Sequence, residues 1–82
     1  MLASLTFAGL GAARLAMNDA RGAIRAYEKA TQLQPSSSGF HAALGRAYFM
    51  AGDRAHAGAE FQRALSLDPN NAAAREGMAR VQ

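Results

Sequence analysis

Two histidines, three consecutive serines, two tyrosines and a spaced run of cations are the residues of this 82-residue chain that could do chemistry. Metal coordination needs several N, O or S ligands at set spacing. The chain has no cysteine, and neither His41 nor His56 falls in such a set. His41 reads instead as a packed core residue. Ser36, Ser37 and Ser38 have no base partner and no oxyanion-hole turn in the pattern around them, so they read as loop and helix cap rather than nucleophiles. Tyr27 and Tyr48 read as packing residues. No glycine-rich phosphate loop occurs, because Gly9 and Gly11 fall within a helical pattern. These readings point away from an enzyme, and neither a cofactor nor a metal is expected.

The cations carry a different message. Arg21, Arg25 and Lys29 recur every four residues and make a basic stripe along one helix. Such a stripe could meet an acidic partner or phosphates, but it is more often a solvated outer face, and Glu28 dilutes it. The net charge of +3, from nine basic and six acidic residues, is too small and too dispersed to imply nucleic acid, and none is expected as a partner. Without cysteine the redox compartment stays undetermined. The apolar start, Met1 to Leu5, has no basic residue ahead of it, and Arg14 interrupts the run. Neither a signal peptide nor membrane insertion is expected. Half of the residues are hydrophobic, yet only six are aromatic and much of the rest is alanine. Alanine forms helices well and brings little volume, so this composition suits closely approaching helices. A single domain of this size buries a modest core and relies on regular packing. The bias toward Ala and Arg resembles that of GC-rich bacterial genomes.

A repeat positions these side chains. The run His41-x-x-Leu44-Gly45, Ala57-x-x-x-Phe61, Ala64 and Asp68-Pro69 restates Phe7-x-x-Leu10-Gly11, Ala23-x-x-x-Tyr27, Ala30 and Gln34-Pro35. The offset is 34 at every one of these positions (69 − 35, 45 − 11, 61 − 27, 64 − 30). A period held at large, small and breaker residues marks one structural unit written twice.

Helical spacing and breakers then place five helices. The first spans about Leu2 to Met17, with Phe7, Leu10 and Gly11 on one face. Asn18-Asp19 ends it, since Asn tolerates the left-handed conformation and Asp caps the next helix. Gly52-Asp53 occupies the equivalent place. The second helix, about Ala20 to Leu33, carries Ala23, Ile24, Tyr27, Ala30 and Leu33 and stops before Pro35. The third runs from about Ser38 to Ala51 and the fourth from Arg54 to Leu67, with Gly58 inside it. Asp68-Pro69-Asn70-Asn71 caps a last helix, about Ala72 to Val81.

This pattern resembles the tetratricopeptide repeat (TPR) family over nearly the whole chain. The resemblance implies an all-α fold of antiparallel helix–turn–helix repeats, stacked as a short right-handed superhelical solenoid of about five helices. One domain, 1–82, would hold repeat one at 4–37, repeat two at 38–71 and a half repeat or capping helix at 72–82. Phe7 and His41 stand where the family often has Trp, and Arg14 where it often has Tyr. A long Arg stem can cover apolar surface while its head reaches water.

By the same resemblance, the concave wall is lined by Leu5, Ala8, Ala12 and Leu15 from repeat one. Gly39, Ala42, Arg46 and Phe49 follow from repeat two, then Ala73, Glu76 and Arg80. That wall is apolar and shallow, with Arg46 and Arg80 as cationic points. It suits an extended peptide, or a small-residue helix, bearing an acidic group. Some members clamp chaperone C-termini with Lys, Asn and Arg, but those positions here hold Ala8, Ala12, Ala43, Ala73 and Gly77, so the clamp is absent. The resemblance implies a protein–protein interaction scaffold binding a peptide or protein partner in the groove. The alternative is a self-assembling module, a homo-oligomer formed through edge helices. Solenoids need about three repeats, and Leu2, Leu5 and Leu10 are apolar, so either a longer array or another copy is expected to cover that edge.

Overall fold

The computed structural model describes residues 2–82. Five helices follow in order: α1 (Leu2–Ala16), α2 (Ala20–Leu33), α3 (Ser38–Met50), α4 (Arg54–Leu67) and α5 (Ala72–Val81). Among the described residues there is no strand. The second, fourth and fifth match the expected bounds, while α1 and α3 each end one residue earlier. The reason is the turn. Asn18 at φ 61° and Gly52 at φ 85° take the left-handed conformation. The following amides, Asp19 and Asp53, reach back to the carbonyls of Arg14 (2.8 Å) and Tyr48 (2.9 Å). These bonds close both helices in the Schellman geometry and satisfy carbonyls the helix leaves free.

Each next helix starts on a side-chain cap. Asp19 accepts from the Gly22 amide at 2.9 Å, Ser37 from Phe40 at 3.2 Å, Asp53 from His56 at 3.1 Å and Asn71 from Ala74 at 3.0 Å. Each such cap stabilises its helix by about 1 kcal/mol. Ser37 is thus the member of the serine run that caps. Asp19 also pairs with Arg14 at 3.3 Å, which fixes the Arg14 head at the α1–α2 turn.

The helices pack as adjacent pairs in a helical-repeat solenoid. α1 lies on α2 and α3 on α4, the pairs meet through α2 on α3, and α5 packs on both α4 and α3. α1 makes no comparable contact with α3. Two small cores result. Ala23, Tyr27, Leu44 and Ala47 form the first, and Ala42, Ala57, Phe61, Ala64 and Ala74 the second. Glycine makes room for the rings. A Cβ built at Gly11 or Gly45 would lie 2.7 Å from the ring of Tyr27 or Phe61, respectively. Burying a Phe61-sized ring contributes roughly 1.5–3 kcal/mol, which alanines alone could not supply.

Polar groups inside are paired. His41 is buried; its Nε2 donates to the Pro35 carbonyl at 2.8 Å and its Nδ1 lies 2.8 Å from Glu60 Oε1. The core position expected of it therefore comes with a polar clasp across the α2–α3 connection and onto α4. Tyr48 donates to Glu28 at 3.1 Å and its ring stacks on His56 with centroids 5.0 Å apart. Desolvation by burial, followed by that hydrogen bond, pushes the Tyr48 hydroxyl up to about 12. Ser4 and Ser38, 34 apart, are also tied down, Ser4 to Gln34 Oε1 at 2.6 Å and Ser38 to the Ala64 carbonyl at 2.8 Å. No buried side-chain N or O lacks a partner among the described residues.

Candidate binding groove

The groove begins at Phe61. Its ring, 1% exposed, sits between Gly45 of α3 and Gly77 of α5, and a Cβ on either glycine would run into it. Two helices that approach one ring this closely leave a hollow above it. That hollow is a cavity of about 420 Å3 lined by Arg46, Phe49 and Met50 from α3 and by Ala73, Glu76, Gly77 and Arg80 from α5, with Phe61 beneath. Cavities of this size accept a side chain or two of a peptide.

Charge sets its character. Arg46 and Arg80 are exposed, and among the described residues no carboxylate lies within 4.0 Å of either guanidinium. Glu76, four residues before Arg80, lines the same cavity. The Arg54 guanidinium stands 5.6 Å from the centroid of the Phe49 ring and donates to the Arg80 carbonyl at 3.2 Å. Phe49 is therefore held from one side and half-buried. Arg46 also acts on the first core. Burial pushes the Tyr27 hydroxyl up, and the positive charge of Arg46 opposes that shift.

Arg46, Phe49, Glu76 and Arg80, together with Ala73, come together around this cavity. Ala42 is buried in the core beside Phe61 rather than on the groove surface. Ala8 and Leu15 pack partly against the first core, whereas Leu5 and Ala12 are exposed on α1; none of these four lines the cavity. Gly39 is exposed at the start of α3. Sequence reasoning missed Met50 and Phe61 as groove residues and named Gly77 only at a position of the absent chaperone clamp. The stripe of Arg21, Arg25 and Lys29 is exposed on α2, away from this cavity.

A tetratricopeptide repeat model matches residues 14–81, more than half of the chain. The chain belongs to the tetratricopeptide repeat family. The match takes in α2 to α5 and the last turn of α1. TPR domains generally serve as protein–protein interaction scaffolds and are typically not catalytic. No curated protein matches the chain. Among the described residues no helix is long and apolar enough to cross a membrane, and no group of three His, Asp or Glu could hold a metal ion.

Proposed function

We propose that this TPR domain captures a peptide or protein segment in the groove between α3 and α5. In this reading 1–82 is one domain of repeats 4–37 and 38–71 with a half repeat, 72–82, whose helix α5 completes the groove. The supporting observation is the pair of guanidiniums of Arg46 and Arg80, without a carboxylate partner among the described residues, on either side of an aromatic-floored cavity of about 420 Å3. An apolar side chain enters above Phe61 against Phe49 and Met50. An acidic residue of the same segment meets Arg46 and Arg80, which orient it. Ala42 underlies this surface beside Phe61, and Leu5, Ala8, Ala12 and Leu15 on α1 lie outside the cavity. The groove presents guanidinium, carboxylate, aromatic and thioether groups but no nucleophile beside a base, which supports binding without catalysis.

Selection of a displayed random-peptide library on the whole chain tests this. Recovered peptides should be rich in Asp or Glu next to an apolar residue. Arg46→Glu should reverse the charge preference, and Phe49→Ala should weaken binding about tenfold or more, with helicity unchanged. Peptides that bind both variants as well as the parent would remove the groove from consideration.

A further inference from the structure

In the second repeat, α3 receives α2 through Leu44 and Tyr48, and His41 on the same helix bonds to the Pro35 carbonyl just after α2. Leu44 is 3% exposed there, packed with Ala23 and Tyr27, while Tyr48 donates to Glu28. Their counterparts 34 residues earlier are Phe7, Leu10 and Arg14 on α1, and Leu10 is 43% exposed. One helix-docking edge is thus written twice, and among the described residues only the later one is covered.

Two replacements hollow the uncovered edge. His56 stacks on Tyr48 and Glu60 bonds to His41, but their counterparts (56 − 34 and 60 − 34) are Gly22 and Ala26. A groove of about 200 Å3 lies there between α1 and α2. Phe7 and Leu10 line it together with three cations, Arg14, Arg25 and Lys29.

We propose that this outer groove docks an acidic amphipathic helix of a partner chain, in the place that α2 takes on α3. An apolar residue of that helix covers Leu10 as Tyr27 covers Leu44. Its carboxylates meet Arg25 and Lys29, as Glu28 meets Tyr48, while Arg14 stays paired with Asp19 at the rim. A second copy of this chain is a poor occupant, because its own carboxylates are engaged elsewhere. Asp19 and Asp53 cap helices, Asp68 holds the turn after α4, and Glu28 and Glu60 bond to Tyr48 and His41. Glu76 lines the other groove. A phosphate ligand would use the cations but leave Phe7 and Leu10 uncovered.

The probe is a side-chain-stapled peptide of the α2 sequence, Ala20 to Leu33, carrying Arg21→Glu, Arg25→Glu and Lys29→Glu and keeping Tyr27 and Glu28. The control peptide retains the native cations. Anisotropy titrations against the whole chain should show saturable binding of the acidic peptide, about tenfold or more tighter than the control. Arg25→Glu with Lys29→Glu in the protein should reverse that order, and added salt should weaken the acidic complex. Leu10→Ser should weaken it as well, and Phe49→Ala should leave it unchanged, since Phe49 lies in the other groove. Arg25 and Lys29 are exposed, so the charge-reversed protein tests the proposal even where Leu10→Ser loosens α1. Absence of saturation, indifference to charge reversal, or loss through Phe49→Ala would overturn it. So would tighter binding of a single-stranded oligonucleotide that Leu10→Ser leaves unaltered, or a concentration-dependent dimer that Leu10→Ser abolishes.

Discussion

Glycine on both sides of the Phe61 ring makes the second core intolerant of a single methyl group. Gly45 and Gly77 have no room for a Cβ, whereas one built at Gly58 would meet only Val81 Cγ2 at 3.6 Å, an ordinary contact. The three substitutions to alanine should therefore differ in sign. Gly45→Ala and Gly77→Ala force the ring or a helix to move and should destabilise by about 1–3 kcal/mol each. Gly58→Ala relieves the backbone entropy of a mid-helix glycine and should stabilise by about 0.5–1 kcal/mol. Denaturant midpoints at constant slope decide this, and a neutral Gly77→Ala would mean that Phe61 is not clamped. Gly11, Tyr27, Gly45 and Phe61 were legible in the sequence because the period sets small against large at the same offset twice. Gly77 was legible only as a concave-wall position, and its fit against Phe61 was not, because that contact is with the previous repeat. Its role exists only once α5 has stacked on α3 and α4.

The turn between paired helices is the element that the sequence specified most completely. Asn18-Asp19 and Gly52-Asp53 share no residue at the first position, yet each supplies a left-handed residue and then an N-cap. Asp53 gives that turn a pH dependence. Its carboxylate is held below the ordinary value of an Asp side chain, chiefly by the hydrogen bond from the His56 backbone amide; desolvation opposes this, and the His56 side chain lowers it further. A depressed carboxylate contributes its stability above its unfolded value and loses it as pH falls through the folded one. The α4 cap should thus persist at neutral pH and be lost only as pH falls below the ordinary range of an Asp side chain. Chemical shifts of the His56 amide followed through acid titration check this. A midpoint within or above that range would mean that the cap does not hold the charged form. The ring of His56 lies 2.6 Å from Asp53 Oδ2 at Nδ1, a contact that spacing alone did not reveal, since Asp53 read as a cap and His56 as a residue of the following helix.

Across the whole molecule, stability should fall off toward α1. A solenoid holds each unit mainly through its neighbours, and α1 rests on α2 without a comparable contact to α3. Leu2 is 82% and Leu5 60% exposed, so the apolar residues of α1 supply little of the burial that holds α3. Amide exchange should be fastest in α1 and slowest in α3 and α4, through local openings below the global unfolding free energy. Five-helix repetition was readable from the period, but this gradient was not, because equal motifs do not make equal burial. The uncovered edge also gives the gradient a lever. A helix docked over Phe7 and Leu10 binds closed α1 and not open α1, so by mass action it must slow that opening. With the acidic α2 peptide at about a hundred times its Kd, exchange of the α1 amides should slow about a hundredfold, while α4 amides that open by separate local routes change little. A peptide that protects α3 and α5 but not α1 would instead occupy the Arg46–Arg80 groove. Uniform exchange across all five helices without peptide would mean that α1 folds and unfolds with the rest, leaving no local opening for an outer ligand to close.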